Sequence, residues 1–303
     1  MAEVTVVLPT WNRAHTLPES LASLLAQEGV EFEVVVVDDG STDDTPRLLA
    51  GLAHADPRVR VVRTAHAGVA AARNAGIAAA RAPFVAFHDS DDRALPGRLA
   101  RPVAYLRAHP EVHLVIQNGW MLAAPETPGA VEKPWIRPAV AASLAGRPIG
   151  VAEVFRWNLG QLQGMTFTRR ALEATGPLDS GFRILDDLDL VLRVVTRFPA
   201  VFLDVPAFAY RRNPEGLARN RSTVREEAIR LAEKLVQESP QVLEVLGHEA
   251  FRRRQARRWA RLASERARMG ESAAAREALA RARQYEPRSV ALRLRALWLR
   301  LRS

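Results

Sequence analysis

The stretch Phe84-Val85-Ala86-Phe87-His88-Asp89-Ser90-Asp91-Asp92 opens as an apolar, strand-forming run and closes with three carboxylates in four positions. In a strand alternate side chains share a face, so Asp89 and Asp91 are expected to point the same way. Two carboxylates held that close repel each other unless a cation or a proton sits between them. Hard cations such as magnesium and manganese take oxygen ligands of this kind, often one or two carboxylates completed by substrate phosphates. The carboxyl ends of strands in open α/β sheets are also where ligands bind. A D-x-D taken alone more often marks a solvated acidic turn, so its meaning depends on what surrounds it.

Working back from it, Val4-Thr5-Val6-Val7-Leu8-Pro9 and Glu33-Val34-Val35-Val36-Val37-Asp38-Asp39 read as buried parallel strands, and Val59-Arg60-Val61-Val62 as a third. Helices are predicted between them: about 16–27, with Leu17, Leu21, Leu24 and Leu25 at helical spacing, one starting at Thr45-Pro46, and one over 68–80. Strands alternating with amphipathic helices imply a parallel sheet covered on both faces. Neither G-x-x-x-x-G-K-[ST] nor G-x-G-x-x-G follows the first strand, so the P-loop and the common dinucleotide fingerprint are missing.

Four segments recur at strand–helix spacing: Val7-Leu8-Pro9-Thr10-Trp11-Asn12-Arg13, Val35-Val36-Val37-Asp38-Asp39-Gly40-Ser41-Thr42-Asp43, Ala72-Arg73-Asn74-Ala75-Gly76 and Phe87-His88-Asp89-Ser90-Asp91-Asp92. Together they resemble the nucleotide-sugar half of glycosyltransferase family 2, the inverting enzymes of GT-A fold. The resemblance implies an α/β fold: a Rossmann-like, mixed and mainly parallel sheet with helices on both faces, followed here by an α-helical C-terminal region. It also implies a donor site lined by Pro9, Thr10, Trp11, Asn12, Asp39, Arg73, Asp89 and Ser90. Within it Thr10, Trp11 and Asp39 would hold the base, Arg73 would lie beside the nucleotide, Asp89 would face the ribose and Asp91, with Asp89, would bind a divalent metal, manganese or magnesium. The residue chemistry agrees. Trp11 offers a ring face for stacking, Asp39 can accept a hydrogen bond from base or ribose, and Arg73 carries a charged fork suited to phosphate. Gly76 reads as a close-packing position. His88 departs from the family's usual apolar residue and reads as a packed or hydrogen-bonded strand end. Asp92 is expected to face away or cap the next turn.

Beyond this half, a helix is predicted from Leu95 to about His109 and a strand at Val112-His113-Leu114-Val115-Ile116. Residues 123–150 are rich in proline, alanine and glycine and read either as a lid or acceptor loop or as a plain connection, with Trp120, Trp135 and Trp157 around them. Asp186-Asp187-Leu188-Asp189-Leu190-Val191-Leu192-Arg193 places two acids at the start of an amphipathic helix, where the helix dipole also favours carboxylates. In the family this place holds an acidic pair whose second member is the base, here Asp187; Asp186 stands where glutamate is usual. Tyr210-Arg211-Arg212-Asn213 resembles the aromatic-basic segment that closes many such domains.

The 303 residues contain no cysteine, which excludes disulfides, zinc–thiolate sites and cysteine catalysis. The N-terminus lacks the pattern of a secretory signal and no apolar run reaches membrane-spanning length, so the expected location is cytoplasmic, or peripheral at the inner membrane surface. The net charge of +9 is unevenly placed: residues 211–303 hold 23 Lys+Arg against 11 Asp+Glu, residues 1–210 hold 20 against 23. The expected division is a catalytic domain over 1–215, with a nucleotide-sugar half at 1–100 and an acceptor half at 101–215, and a helical extension over 216–303. In that extension helices are predicted at about 223–238 and 241–268. Trp259, Leu262, Ala263, Ala275, Leu279, Ala282 and Pro287, with Gly270 at the turn, fit one tetratricopeptide-like helix pair. A last helix over 290–302 sets Leu292, Leu294, Leu297, Trp298 and Leu301 among arginines. Such a tail reads as a structural cap with a solvated basic face or as a helix lying on anionic lipid. Nucleic-acid binding has the charge but no motif, and no nucleic-acid partner is expected.

The function expected is a metal-dependent inverting glycosyltransferase of hexosyltransferase type, moving a sugar from a nucleoside-diphosphate sugar to a hydroxyl of a glycan, lipid-linked or small-molecule acceptor in cell-surface glycan synthesis. The alternatives are a catalytically silent nucleotide-sugar-binding module and a nucleotidyltransferase; the latter is expected to carry a glycine-rich basic loop after the first strand, which Thr10 to Leu17 does not supply. Donor base, acceptor and oligomeric state are not legible in the sequence.

Overall fold

A computed structural model describes residues 1–122, 133–211 and 221–292, which divide into two compact units, Met1–Gly216 and Leu217–Ser303. The first begins as the alternation dictates: β1 (Val4–Thr10), α1 (Leu17–Leu25), β2 (Phe32–Asp38), α2 (Thr45–Ala55), β3 (Val59–Arg63), α3 (Val69–Ala79) and β4 (Phe84–Phe87). All seven residues of β1 are buried because helices cover both sides of the strand, which is why its sequence shows an apolar run and no alternation. Val4, Val6 and Leu8 pack with Leu17, Leu21 and Leu24 of α1 and with Val34 and Val36 of β2, while Val35 and Val37 pack with Ala72 of α3. Val7 meets α3 at Gly76, where a Cβ would lie 2.3 Å from Val7 Cγ1. Gly76 is therefore a close-packing position, as its place in the helix suggested.

The chain continues through β5 (Arg93–Ala94), α4 (Ala100–Ala108), β6 (Leu114–Met121), β7 (Lys133–Pro134), α5 (Pro138–Leu144), β8 (Pro148–Ile149) and α6 (Val151–Trp157). A 3-10 turn at Leu162–Gly164 leads into β9 (Met165–Thr168), α7 (Arg169–Thr175), α8 (Asp186–Val195) and β10 (Ala200–Tyr210). The main sheet runs β3-β2-β1-β4-β9-β6-β10-β5, with β7 beside β6 and β8 beside β10. Strands β1 to β4 are mutually parallel where paired, β9 runs against both β4 and β6, and β10 is parallel to β6. This is the mixed, mainly parallel sheet expected. The reversed β9 is the seam between the two halves.

Local departures from the sequence reading have physical causes. The helix expected from Leu95 begins at Ala100: Leu95 N–H donates to Ala207 O (2.8 Å), extending the β5 edge, and Gly97 takes a φ of +79°. The segment 123–150 lies outside the described residues as far as 132, but beyond that it is not an irregular loop, since β7, α5 and β8 fall within it. Strand β10 shifts register at Pro206, which cannot donate to the ladder.

The second unit is helical: α9 (Arg221–Glu238), α10 (Val242–Leu246), α11 (His248–Arg268) and α12 (Ser272–Tyr285). The helix expected over 241–268 is broken at Gly247, which has a φ of +77°. Helices α11 and α12 form the expected pair across Gly270, and Ala256, Ala260, Leu262, Ala263, Ala278, Leu279 and Ala282 make its core with Ile229 and Leu292. The final helix lies outside the described residues from 293 onward.

Candidate active site

The strands β1, β2 and β4 end side by side, so the loops that follow them meet at one edge of the sheet. In the first loop Pro9 is a buried β1 residue opposite Val37, Thr10 is buried with no hydrogen-bond partner for its hydroxyl among the described residues, and Trp11 stands 47% exposed. Asn12 takes a left-handed φ of +52° and ties this loop to the next: its N–H donates to Ser41 Oγ (2.9 Å) and its Oδ1 accepts from Thr42 N–H (2.8 Å). Asn12 thus holds the two loops together through its own amide.

Asp39, which follows β2, is buried. Its Oδ1 accepts from Ala67 N–H (2.9 Å) and Thr64 Oγ1 (3.3 Å), and its Oδ2 from Gly68 N–H (2.8 Å). His66 Nδ1 lies 2.9 Å from Oδ2, and the His66 ring stacks on Trp11 with centroids 4.5 Å apart. The carboxylate thereby organises the segment entering α3. His66 is a site residue that the sequence did not signal.

At the end of β4, Asp89 and Asp91 come together, with Ser90 buried between them. Asp91 lies 3.4 Å from Arg13 Nη2. Burial, and then the charge of Asp89, push the Asp91 carboxyl above the usual range. Asp92 does not face away: it is 1% exposed, and its Oδ1 accepts from Arg211 N–H (2.9 Å) while Oδ2 is buried without a partner among the described residues. The cause is the return of β10, whose end closes over the loop. Desolvation and the neighbouring Asp89 and Asp91 hold its carboxyl well above the ordinary value. His88 is fully buried, its Nε2 3.3 Å from Asp92 O, and burial lowers its pKa to about 4. It is the packed strand-end residue expected.

Arg73 joins the halves. It projects from α3, is 7% exposed, and places Nη2 3.0 Å from Asp89 Oδ1 and Nη1 2.9 Å from Asp186 Oδ2. The two acids flanking it raise its pKa despite burial. Asp187, next in α8, is partly buried, and Leu188 N–H donates to its Oδ1 (2.6 Å). Burial, reinforced by Asp186, drives the Asp187 carboxyl well above its ordinary value, against the opposing pull of Arg73. Asn74, beside Arg73, exchanges hydrogen bonds with Leu178 N–H (2.8 Å) and O (3.0 Å), fixing the segment that leads to α8.

Arg98, also missed from sequence, lies 1% exposed beneath the acidic loop. Its guanidinium donates to Gln163 O (2.8 Å), Met165 O (2.6 Å), Phe87 O (3.2 Å), Thr166 Oγ1 (2.9 Å) and Gln117 Oε1 (3.3 Å), and burial lowers its pKa to about 9. Its acceptors come from β4, β6, β9 and the 3-10 turn, so one side chain pins the seam of the sheet. Nothing in the run Leu95-Pro96-Gly97-Arg98-Leu99 announces this, because most of the partners are main-chain carbonyls far away in sequence.

The oxygen set of Asp89 and Asp91 suits a hard cation. Among the described residues no three His, Asp or Glu side chains gather to hold a metal by themselves. A cation here would complete its shell with phosphate and water oxygens, as magnesium commonly does.

Residues 5–119 match the family model described as Glycosyl transferase family 2. Over those residues the chain is similar to that family. Residues of the chain are 49% identical over 102 positions to the succinoglycan biosynthesis protein ExoO of Rhizobium meliloti, covering 33% of this chain and 29% of that protein. They are 30% identical over 184 positions to an uncharacterized glycosyltransferase of Nostoc sp., covering 58% and 54%. The chain thus spans about half of the Nostoc protein and under a third of ExoO. Among solved structures, S. aureus TarS 1–349 in complex with UDP-GlcNAc superposes with a TM-score of 0.66 at 18% identity, covering 93% of this chain and 81% of that one. The mannosyltransferase PcManGT of Pyrobaculum calidifontis in complex with GDP-Man and Mn2+ gives 0.63 at 23% identity, covering 99% and 80%. At these identities the structural likeness carries the fold of the family 2 domain and its continuation into the second half.

Proposed function

We propose that the chain is an inverting, divalent-metal-dependent glycosyltransferase that moves a sugar from a nucleoside-diphosphate sugar to an acceptor hydroxyl in the synthesis of a surface glycan. The observation that carries this reading is the span of Arg73 between Asp89 in the donor half and Asp186, beside Asp187, in the acceptor half. One guanidinium thereby joins the proposed donor acid Asp89 to the neighbour of the proposed base. The relatives support the reaction class, and the role of ExoO in succinoglycan biosynthesis supports the surface-glycan context.

In this reading Pro9, Thr10, Trp11, Asn12 and Asp39 line the base side of the donor, Arg73 and Ser90 lie beside the nucleotide, Asp89 faces the ribose, and Asp91, with Asp89, holds magnesium or manganese. The metal, when bound, neutralises charge on the leaving diphosphate. Asp187 takes the proton of the acceptor hydroxyl. The freed oxygen bonds to the anomeric carbon, whose bond to the phosphate oxygen breaks, and the nucleoside diphosphate leaves with the electron pair. Attack opposite the leaving group inverts the anomeric centre. The raised Asp187 carboxyl suits a base that works near neutral pH, and such a group contributes about 10²–10⁴-fold to rate.

The test is thermal shift with a panel of nucleoside diphosphates, with and without manganese, on the native chain and on Asp91→Ala and Asp187→Asn. A manganese-dependent rise with at least one nucleotide is expected for the native chain and for Asp187→Asn, and its loss for Asp91→Ala; at 100 times Kd the stabilisation is about 2.7 kcal/mol. No shift with any nucleotide would favour the silent module.

A further inference from the structure

We infer that Arg13 couples metal to nucleotide: it competes with the divalent cation for Asp91 and, once displaced, binds the donor's diphosphate; this rests on the nucleotide-sugar reading above. Four arginines surround the acidic loop. Three of them are engaged with carboxylates outside the metal pair: Arg73 with Asp186, and Arg93 and Arg211 with Glu19. Arg13 differs. Among the described residues the only carboxylate paired with its guanidinium is Asp91, with Nη2 3.4 Å from Oδ2. That is longer than a normal N–H···O bond, so the guanidinium is held there by charge rather than by a formed hydrogen bond.

The main chain of Arg13 is fixed and its side chain is not. Its N–H donates to Thr45 Oγ1 (3.0 Å), and its carbonyl accepts from Thr16 N–H (3.1 Å) and Leu17 N–H (2.9 Å) at the start of α1. The side chain is 32% exposed, so rotation about its own bonds is the motion open to it. Arg13 follows Asn12 in the loop proposed to line the base side of the donor, and its guanidinium reaches the acid proposed to hold the metal. A nucleoside diphosphate laid between those two points has its phosphates beside this side chain. With a divalent cation on Asp91, like charge stands next to the guanidinium, and repulsion in a partly buried site drives Arg13 away. The diphosphate takes it up, because phosphate oxygens suit the planar fork of N–H donors. Arg13 thus opposes metal binding on its own and favours the nucleotide once metal is present, and the coupling is reciprocal.

The experiment follows manganese and nucleotide separately in the full chain, in Arg13→Gln and in Arg13→Lys, with circular dichroism confirming each fold. Manganese alone is titrated by the electron paramagnetic resonance of the free ion; UDP, dTDP and GDP are titrated calorimetrically at saturating manganese. Arg13→Gln is expected to bind manganese alone about tenfold more tightly than the native chain. It is expected to bind the nucleotide that the native chain holds best about tenfold more weakly. Opposite signs are the mark of the coupling, since a merely structural defect weakens both. Arg13→Lys keeps the charge and loses the fork: its manganese affinity should stay within about twofold of native, and its nucleotide affinity should lie between those of the other two chains. A manganese affinity that falls or stays constant in Arg13→Gln, or a nucleotide affinity that it leaves unchanged, overturns the inference while leaving the donor site standing. Failure of every nucleotide to bind the native chain overturns both.

Discussion

Asp187, partly buried, and His88, fully buried, are two titratable groups pushed in opposite directions by the same cause. Desolvation disfavours charge, so it raises a carboxyl and lowers an imidazole. In the mechanism proposed above the ionised form of Asp187 is the base, and a raised pKa would move the rising limb of kcat to higher pH. We expect that limb above the ordinary carboxylate range, and expect Asp187→Asn to lower kcat by about 10²–10⁴-fold with the limb gone and the donor KM little changed. A flat pH profile in the native enzyme would remove the assignment. His88 acts on stability. Its folded pKa of about 4 lies below the unfolded value near 6.5, so the unfolded chain binds the extra proton between those values. The contribution is full above pH 6.5 and is lost as pH falls toward 4, by about 3 kcal/mol in all. Denaturant titrations should show that slope in the native chain and its reduction in His88→Leu. The sequence singled out both residues, and Asp91 and Arg73 as site candidates, because their neighbours along the chain form readable motifs. It did not carry the crowding of Asp39, the burial of Asp92 or the acceptors of Arg98, all of which come from residues brought together only by the fold.

At the scale of elements, α3 is the beam on which the site hangs. It presents Arg73 to both acids and Asn74 to Leu178, and it lies against β1 through Gly76. Gly76→Ala would drive a methyl to 2.3 Å from Val7 Cγ1, so α3 must lift. We expect a loss of about 1–3 kcal/mol in stability, together with weaker donor binding because Arg73 moves with the helix. Pairing it with Val7→Ala should restore much of both, measured by thermal midpoint and nucleotide titration; failure of the double variant to recover would mean the glycine matters for another reason. The strand–helix order of this region was plain from hydrophobic patterning. The position of β9 was not: Met165-Thr166-Phe167-Thr168 is a four-residue strand that no local signal orders against β4 and β6, and only long-range pairing decides its direction.

At the scale of the molecule, the two units carry separate apolar cores, one around β1 and β2 and one around α11 and α12. Calorimetry should resolve two unfolding transitions, and a bound nucleoside diphosphate with manganese should raise only the one belonging to residues 1–216. Equal shifts of both would mean the units unfold as one. The helical character and the Gly270 turn of the second unit were readable from spacing, while the break at Gly247 was hidden within an otherwise helix-forming run.

The bridging of Arg73 has a consequence for anyone who would recombine these proteins. The family-matched region ends at residue 119, yet the Arg73 guanidinium is neutralised in part by Asp186, 113 residues downstream, and Arg98 rests on carbonyls at 163 and 165. The recognisable half is therefore not a portable cassette. A chimera that grafts a foreign second half onto residues 1–119 inherits two buried cations whose counterparts stayed behind, and only donors of an acid at the start of α8 and a strand in the place of β9 make compatible transplants.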